Sequence, residues 1–194
     1  LDPSGMTPKE QLAEIRDKAV KLVRKQYKLL LGELANQLAE NGIRFFQIDA
    51  LNRYERERLE RHFTKTVLPV LTPVGVDPSH PFPVINNQVI EIVAQVKKHD
   101  EDKESYCLVE VPPALPRFIE VSPPDGQGRG FIFLENLIVA HIDHLFNGCE
   151  VADAFPFRIT KDMDFSIDEE KASDLLTYLE RKILSSRKRR PIRL

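Results

Sequence analysis

The chain has 194 residues, 42% hydrophobic and 30% charged, which is the make-up of a soluble globular protein with room for one full domain and a smaller one. A net charge of −2 and a pI near 6.3 exclude a broad basic field of the kind that nucleic acid selects, so any polyanion site has to be local. Cys107 and Cys149 fall in no metal-like spacing and make no disulfide framework, no apolar run approaches the ~20 residues of a membrane span, and the first residues lack a secretory pattern; a cytoplasmic location is expected.

In chain order, Thr7-Pro8-Lys9-Glu10 combines a hydroxyl N-cap, a proline at the first helical position and a glutamate at the third, a capping box that predicts a helix start. Leu12, Ile15, Ala19, Leu22, Val23, Leu30, Leu34 and Leu38 then recur at three- and four-residue steps up to Asn41-Gly42, which predicts one long amphipathic helix needing helical partners. A second helix is predicted over 53–66, capped by Asn52 and carrying Leu59 and Phe63. Five prolines between Pro69 and Pro83 fix the backbone of a stiff connector, with no apolar run long enough for a core element.

Beyond the connector the period becomes two. Ile90, Ile92, Ala94 and Val96 alternate with Glu91, Val93, Gln95 and Lys97, which predicts a strand; 106–111 and 118–121 read as further strands, with a polar hairpin loop over 99–105. After a glycine-rich turn over 123–130, Phe131-Ile132-Phe133 leads into a helix expected over 134–146. Residues 151–159 read as extended, and Asp168 caps a last helix with Ala172, Leu175, Leu176, Leu179 and Ile183 on one face. The expected fold class is α+β: a helical piece over 1–68, then a mixed-sheet domain with packed helices over 69–194.

Several residues suggest chemistry. Gly126, Gly128 and Gly130 form no phosphate-binding loop, and turn geometry explains them more simply. His80, pinned between prolines, is a possible phosphate acceptor or a structural donor to connector carbonyls. His141 and His144 share a helix face without a third metal ligand at a persuasive spacing, so a solvent-edge pair is expected. Asp162 and Asp164 are spaced for paired carboxylates, or for turn and cap roles. Arg187, Lys188, Arg189 and Arg190 make the densest local cation run, suited to phosphate oxygens or to a solvated helix end. Arg117 and Arg158 follow proline-rich and aromatic residues, and serve either phosphate contact or pairing within the protein.

Three motifs carry a resemblance: Val70-Leu-Thr-Pro-Val-Gly-Val-Asp-Pro-Ser-His-Pro-Phe-Pro83, Val111-Pro-Pro-Ala-Leu-Pro-Arg-Phe118 and Phe155-Pro-Phe-Arg-Ile-Thr-Lys-Asp-Met-Asp164. In that order they resemble the end of the N-terminal helical domain and the middle, or head, domain of the polyphosphate kinases that synthesise long chains. The resemblance implies a parent enzyme that reversibly transfers the terminal phosphate of ATP to polyphosphate through a phosphohistidine, with Mg²⁺. It places that histidine in later domains, so no catalytic residue, metal or cofactor is expected in this chain. The implied role here is architectural, with the rest of the polyphosphate kinase chain, a second copy in a homodimer or higher oligomer, and polyphosphate as partners. The alternative is a free-standing α+β interaction module that binds an anionic partner through Arg187–Arg190. Starting at Leu1 and stopping at Leu194, the sequence is expected to be one part of a larger protein.

Overall fold

Thr7 sets the first helix. Its side-chain oxygen accepts from the Glu10 N–H at 3.4 Å, while the Glu10 carboxylate takes the Thr7 N–H at 2.7 Å, so two amides that the helix leaves orphaned are satisfied reciprocally. The computed structural model describes residues 5–76, 82–98, 104–161 and 191–193. The helix predicted over 168–183, Arg187–Arg190, His80, Asp162 and Asp164 lie outside the described residues.

Helix α1 (Pro8–Lys28) continues through a π-helical turn, Leu29–Leu34, into α2 (Ala35–Glu40). The uninterrupted helix expected from the spacing therefore carries a wide turn around Gly32. Gly42, at φ +77°, ends it and leads to β1 (Ile43–Phe45). The chain divides into two units, the first being Leu1–Phe46 with Val121–Phe131. Within it β1 pairs in parallel with residues 129–131, Ile43 facing Arg129 and Phe45 facing Phe131. No residue of α1 is buried, and Leu12, Ile15, Leu22 and Leu31 are each more than 60% exposed. A stripe so open should drive self-association. Residues 1–45 in isolation are expected to sediment as oligomers that dissociate when Leu12 and Leu22 are both replaced by Glu; a monomer at all concentrations would refute this.

The second unit comprises Gln47–Glu120 and Ile132–Leu194. Asn52 caps α3 (Arg53–His62), its Oδ1 accepting the Glu55 N–H at 2.9 Å. A π turn (Phe63–Val67) follows, and Leu59, Phe63 and Val67 are fully buried. The connector does more than stiffen the chain: Pro73–Val76 forms β2, paired antiparallel with β4 (Glu104–Glu110). Pro73 opens that strand and β2 is an edge, so a missing donor costs little.

Strand β3 (Ile90–Lys98) lies between β4 and β7 (Cys149–Arg158), giving the antiparallel order β2–β4–β3–β7. Between β4 and β7 in sequence come β5 (Phe118–Val121), β6 (Arg129–Phe133) and α4 (Leu134–Ala140). Ile92, Ala94, Val96 and Val109 bury one face of the sheet, and α4 packs on β3 and β7 through Leu134, Leu137 and Ile138. Each such side chain removed from water contributes about 1.5–3 kcal/mol. The opposite face carries Val74, Leu108, Val93 and Phe155 in one register row across all four strands, of which Val74 and Phe155 remain exposed. The α4 helix is shorter than its sequence suggests: His141 adopts φ −125°, and Ile142–Leu145 continue as a 3₁₀ turn. Two residues of β8 (Thr160–Lys161) pair antiparallel with β9 (Pro191–Arg193). The α+β class expected from sequence is the class observed.

Candidate functional site

Arg117 sits just before β5, after a turn that the prolines of Pro112-Pro113-Ala114-Leu115-Pro116 hold. Its carbonyl accepts the Leu134 N–H at 2.8 Å, which ties it to the first residue of α4. Next in that helix is Glu135, whose side chain is 8% exposed. Arg117 grips it with Nε at 3.0 Å and Nη2 at 2.6 Å from Oε1, and the guanidinium lies 5.3 Å from the Phe133 ring centroid. A planar fork on a carboxylate with an aromatic face beside it is the arrangement that guanidinium serves best. The sequence left Arg117 between pairing and phosphate contact; the geometry shows it paired, with half of its side chain still open to water.

A second buried glutamate in the same unit has a similar partner. Glu55 on α3 accepts from Arg58 Nε at 3.0 Å and Nη2 at 2.8 Å, and Arg58 Nη2 also reaches the Glu120 carbonyl at 2.8 Å. Sequence reading missed Arg58 because one of four arginines alternating with glutamates on a helix gives no distinct signal. The i to i+3 spacing from Glu55, and the burial implied by the capped first turn, were the cues available.

Arg158 ends β7 with an exposed side chain, in register with Ile90. Arg117, ahead of β5, and Arg158, in the β2–β4–β3–β7 sheet, do not converge on one pocket in any described contact. In the first unit Arg44 binds Asp125 through a 2.7 Å bond from Nη1 to Oδ2, with Nη2 to Oδ1 and to the Gln127 carbonyl. The Arg44 guanidinium holds the Asp125 carboxyl well below the usual range. The glycine-rich stretch is a turn, closed by the Gly126 N–H on the Pro123 carbonyl at 2.9 Å.

His141 departs from the expected solvent-edge pair. Its ring stacks on the buried Phe63 at 5.1 Å, His144 meets the same phenyl edge-on at 5.7 Å, and His141 Nε2 is buried without a hydrogen-bond partner. Burial first, and then the neighbouring His144, push the His141 pKa down, against a smaller upward pull from Glu60 and Asp143. The unfolded chain therefore binds the proton more readily, so stability from neutral His141 is present above its ordinary pKa and is lost as pH falls below it. Thermal melts should show an acid-side loss that flattens in His141→Phe; an unchanged slope would remove His141 as its source. Among the described residues no group of three or more His, Cys, Asp or Glu is placed to hold a metal ion, and Cys107 and Cys149 are free thiols.

Two family models match in succession, that of the polyphosphate kinase N-terminal domain over residues 1–46 and that of the polyphosphate kinase middle domain over residues 54–194. The chain belongs to the polyphosphate kinase family. Polyphosphate kinases of an Exiguobacterium strain and of Mycobacterium avium are 35% and 34% identical to it, over 100% and 98% of this chain. That of Exiguobacterium sibiricum is 38% identical over 94%. The chain spans about a quarter of the length of these relatives, 25–27%. The crystal structure of polyphosphate kinase from Porphyromonas gingivalis superposes with a TM-score of 0.71 at 26% identity, over 88% of this chain and 28% of that one. These polyphosphate kinase N-terminal and middle domains contain no described helix long and apolar enough to cross a membrane.

Proposed function

We propose that the chain is the non-catalytic N-terminal and middle section of a cytoplasmic polyphosphate kinase, whose phosphohistidine and bound ATP and Mg²⁺ belong to other parts of the same protein. The observation that carries this reading is the pair of consecutive matches, N-terminal then middle domain, in a chain spanning about a quarter of its relatives. The section is architectural and forms dimer contacts. Polyphosphate approaches it along cations, the exposed Arg158 together with Arg187, Lys188, Arg189 and Arg190, while Arg117 shapes the start of α4 and keeps one guanidinium edge available.

The paired state of Arg117 favours the architectural role over a catalytic one, because a guanidinium committed to Glu135 is not free to follow a moving phosphoryl group. Supplied with ATP and Mg²⁺, residues 1–194 alone should make no polymer, whereas the longer enzyme should. Polymer synthesis by 1–194 that disappears in His80→Ala would overturn this reading. Neutralising Arg187–Arg190 in the longer enzyme should lower the salt dependence of polyphosphate binding; an unchanged salt slope would remove that run from the polymer's path.

A further inference from the structure

Among the described residues, Glu91 occupies the sheet with no counter-charge. The Val111 N–H donates to the Ile90 carbonyl at 2.9 Å, so Ile90 and Val111 are a hydrogen-bonded pair. The next pair along the ladder, Glu91 opposite Glu110, is therefore the close, non-hydrogen-bonded kind. In such a pair the Cβ atoms stand about 4.5–5.5 Å apart, which puts two carboxyl groups side by side.

What surrounds them separates the two. Glu91 is 5% exposed, faces Phe157 on β7, and adjoins Val93 and the apolar cluster of Ile85, Leu108 and Ile159. No hydrogen bond or ion pair reaches its carboxyl among the described residues. Glu110 is half-buried and accepts the Asn86 Nδ2 at 2.9 Å. The other charged positions on this face, Lys97 with Glu104 and Glu150 and then Asp153, lie toward the far end of the strands. Arg158, in register with Ile90, belongs to the opposite face. Lys161 on β8 is buried, and its backbone N–H donates to Asn87 Oδ1 at 2.8 Å.

We propose that Glu91 and Glu110 are a one-proton pair, Glu91 holding the proton and Glu110 the charge, and that losing this proton loosens the β3–β4 ladder, a pH-sensitive latch within the middle domain. Two ionised carboxylates at this separation, one of them out of water, oppose each other strongly, whereas a carboxylic acid beside a carboxylate does not. Burial, and then the charge on Glu110, raise the Glu91 pKa to about 7. An unfolded glutamate releases its proton at its ordinary, lower pKa, so the folded state binds the extra proton between that value and about 7. Stability from this pair is complete in acid, falls as pH rises through that window, and is level above it.

The test compares the protein with Glu91→Gln, which keeps the shape and cannot ionise. The folding equilibrium constant of wild type relative to the variant should fall by up to about tenfold per pH unit through the window and then stay constant. Parallel profiles overturn the proposal. Infrared difference spectra give a readout that does not depend on how well the variant folds. A protonated-carboxyl C=O band, present at about pH 6, should be gone by about pH 8.5 in wild type; its absence at the lower pH also overturns the proposal. Each profile is repeated with Mg²⁺ and with Ca²⁺. If either ion restores wild type at the higher pH and not Glu91→Gln, the pair is a cation site and the proton reading falls.

Discussion

Gly128→Ala is expected to cost about 3 kcal/mol or more and to unzip the first unit's ladder. A Cβ at Gly128 would drive into the backbone of Gly42, meeting its carbonyl oxygen well inside contact distance and its C and Cα atoms at 3.0 Å. Neither side can yield. Gly42 itself sits at φ +77° to end α2, and its carbonyl accepts the Arg129 N–H at 2.7 Å, the bond that starts the β1–β6 pairing. Gly128 adds a positive φ of its own at +71°, which an alanine adopts at a cost of roughly 1–2 kcal/mol. Gly126 is the built-in control, because its φ is +72° with nothing within 4 Å of the added carbon. Gly126→Ala should therefore show the backbone cost alone. Hydrogen exchange of the amides in 43–46 and 129–131 reads the difference, and equal protection in the two variants would refute the steric account.

The second large effect concerns Arg117, and it is asymmetric. Removing the arginine strands a nearly buried glutamate, whereas removing the glutamate leaves an arginine that is half open to water and can turn outward. Arg117→Ala is expected to destabilise the second unit by about 2–3 kcal/mol, discounted from the loss typical of a fully buried pair because one partner is solvated. Glu135→Gln should cost about 1 kcal/mol, since an amide still accepts from Nη2. The double change Arg117→Met with Glu135→Leu should recover most of the loss, as an apolar pair of similar volume needs no counter-charge. Urea midpoints of the three variants check the order. If Glu135→Gln proved the more damaging, the clasp would be held by the arginine's burial and not by the carboxylate's.

Thr7, Glu10 and Asn52 announced their caps because capping is local chemistry, complete within four residues. The alternation around Ile92, Ala94 and Val96 announced β3 because one face of that strand is buried under α4. Strand β1 was illegible: three residues give no period, and its partner Arg129–Phe131 lies far along the chain. Strand β2 hid among prolines that argued for a stiff connector without a core element. The α4 boundary slipped because His141 leaves the helical region to stack on Phe63, a tertiary preference that no local propensity encodes. Of the candidate site, the motif flagged Arg117 but could not name Glu135, whose partnership depends on a strand and a helix start meeting in space. Glu91 read as the polar half of an alternating strand, and only the register brings it opposite Glu110.

The first unit is assembled from two separated stretches, Leu1–Phe46 and Val121–Phe131, with the whole of 47–120 strung between them. On a ribosome its helix can form early, but its parallel ladder has to wait until Phe131 has cleared the exit tunnel. At synthesis rates of about 5–20 residues per second, that delay is on the order of ten seconds. Throughout it β1 stands without the strand it pairs with, so its backbone donors and acceptors stay unpaired for a defined stage of synthesis. A messenger paused between the codons for Phe46 and Phe131 would prolong that unpaired stage, and one paused after Phe131 has left the tunnel would not.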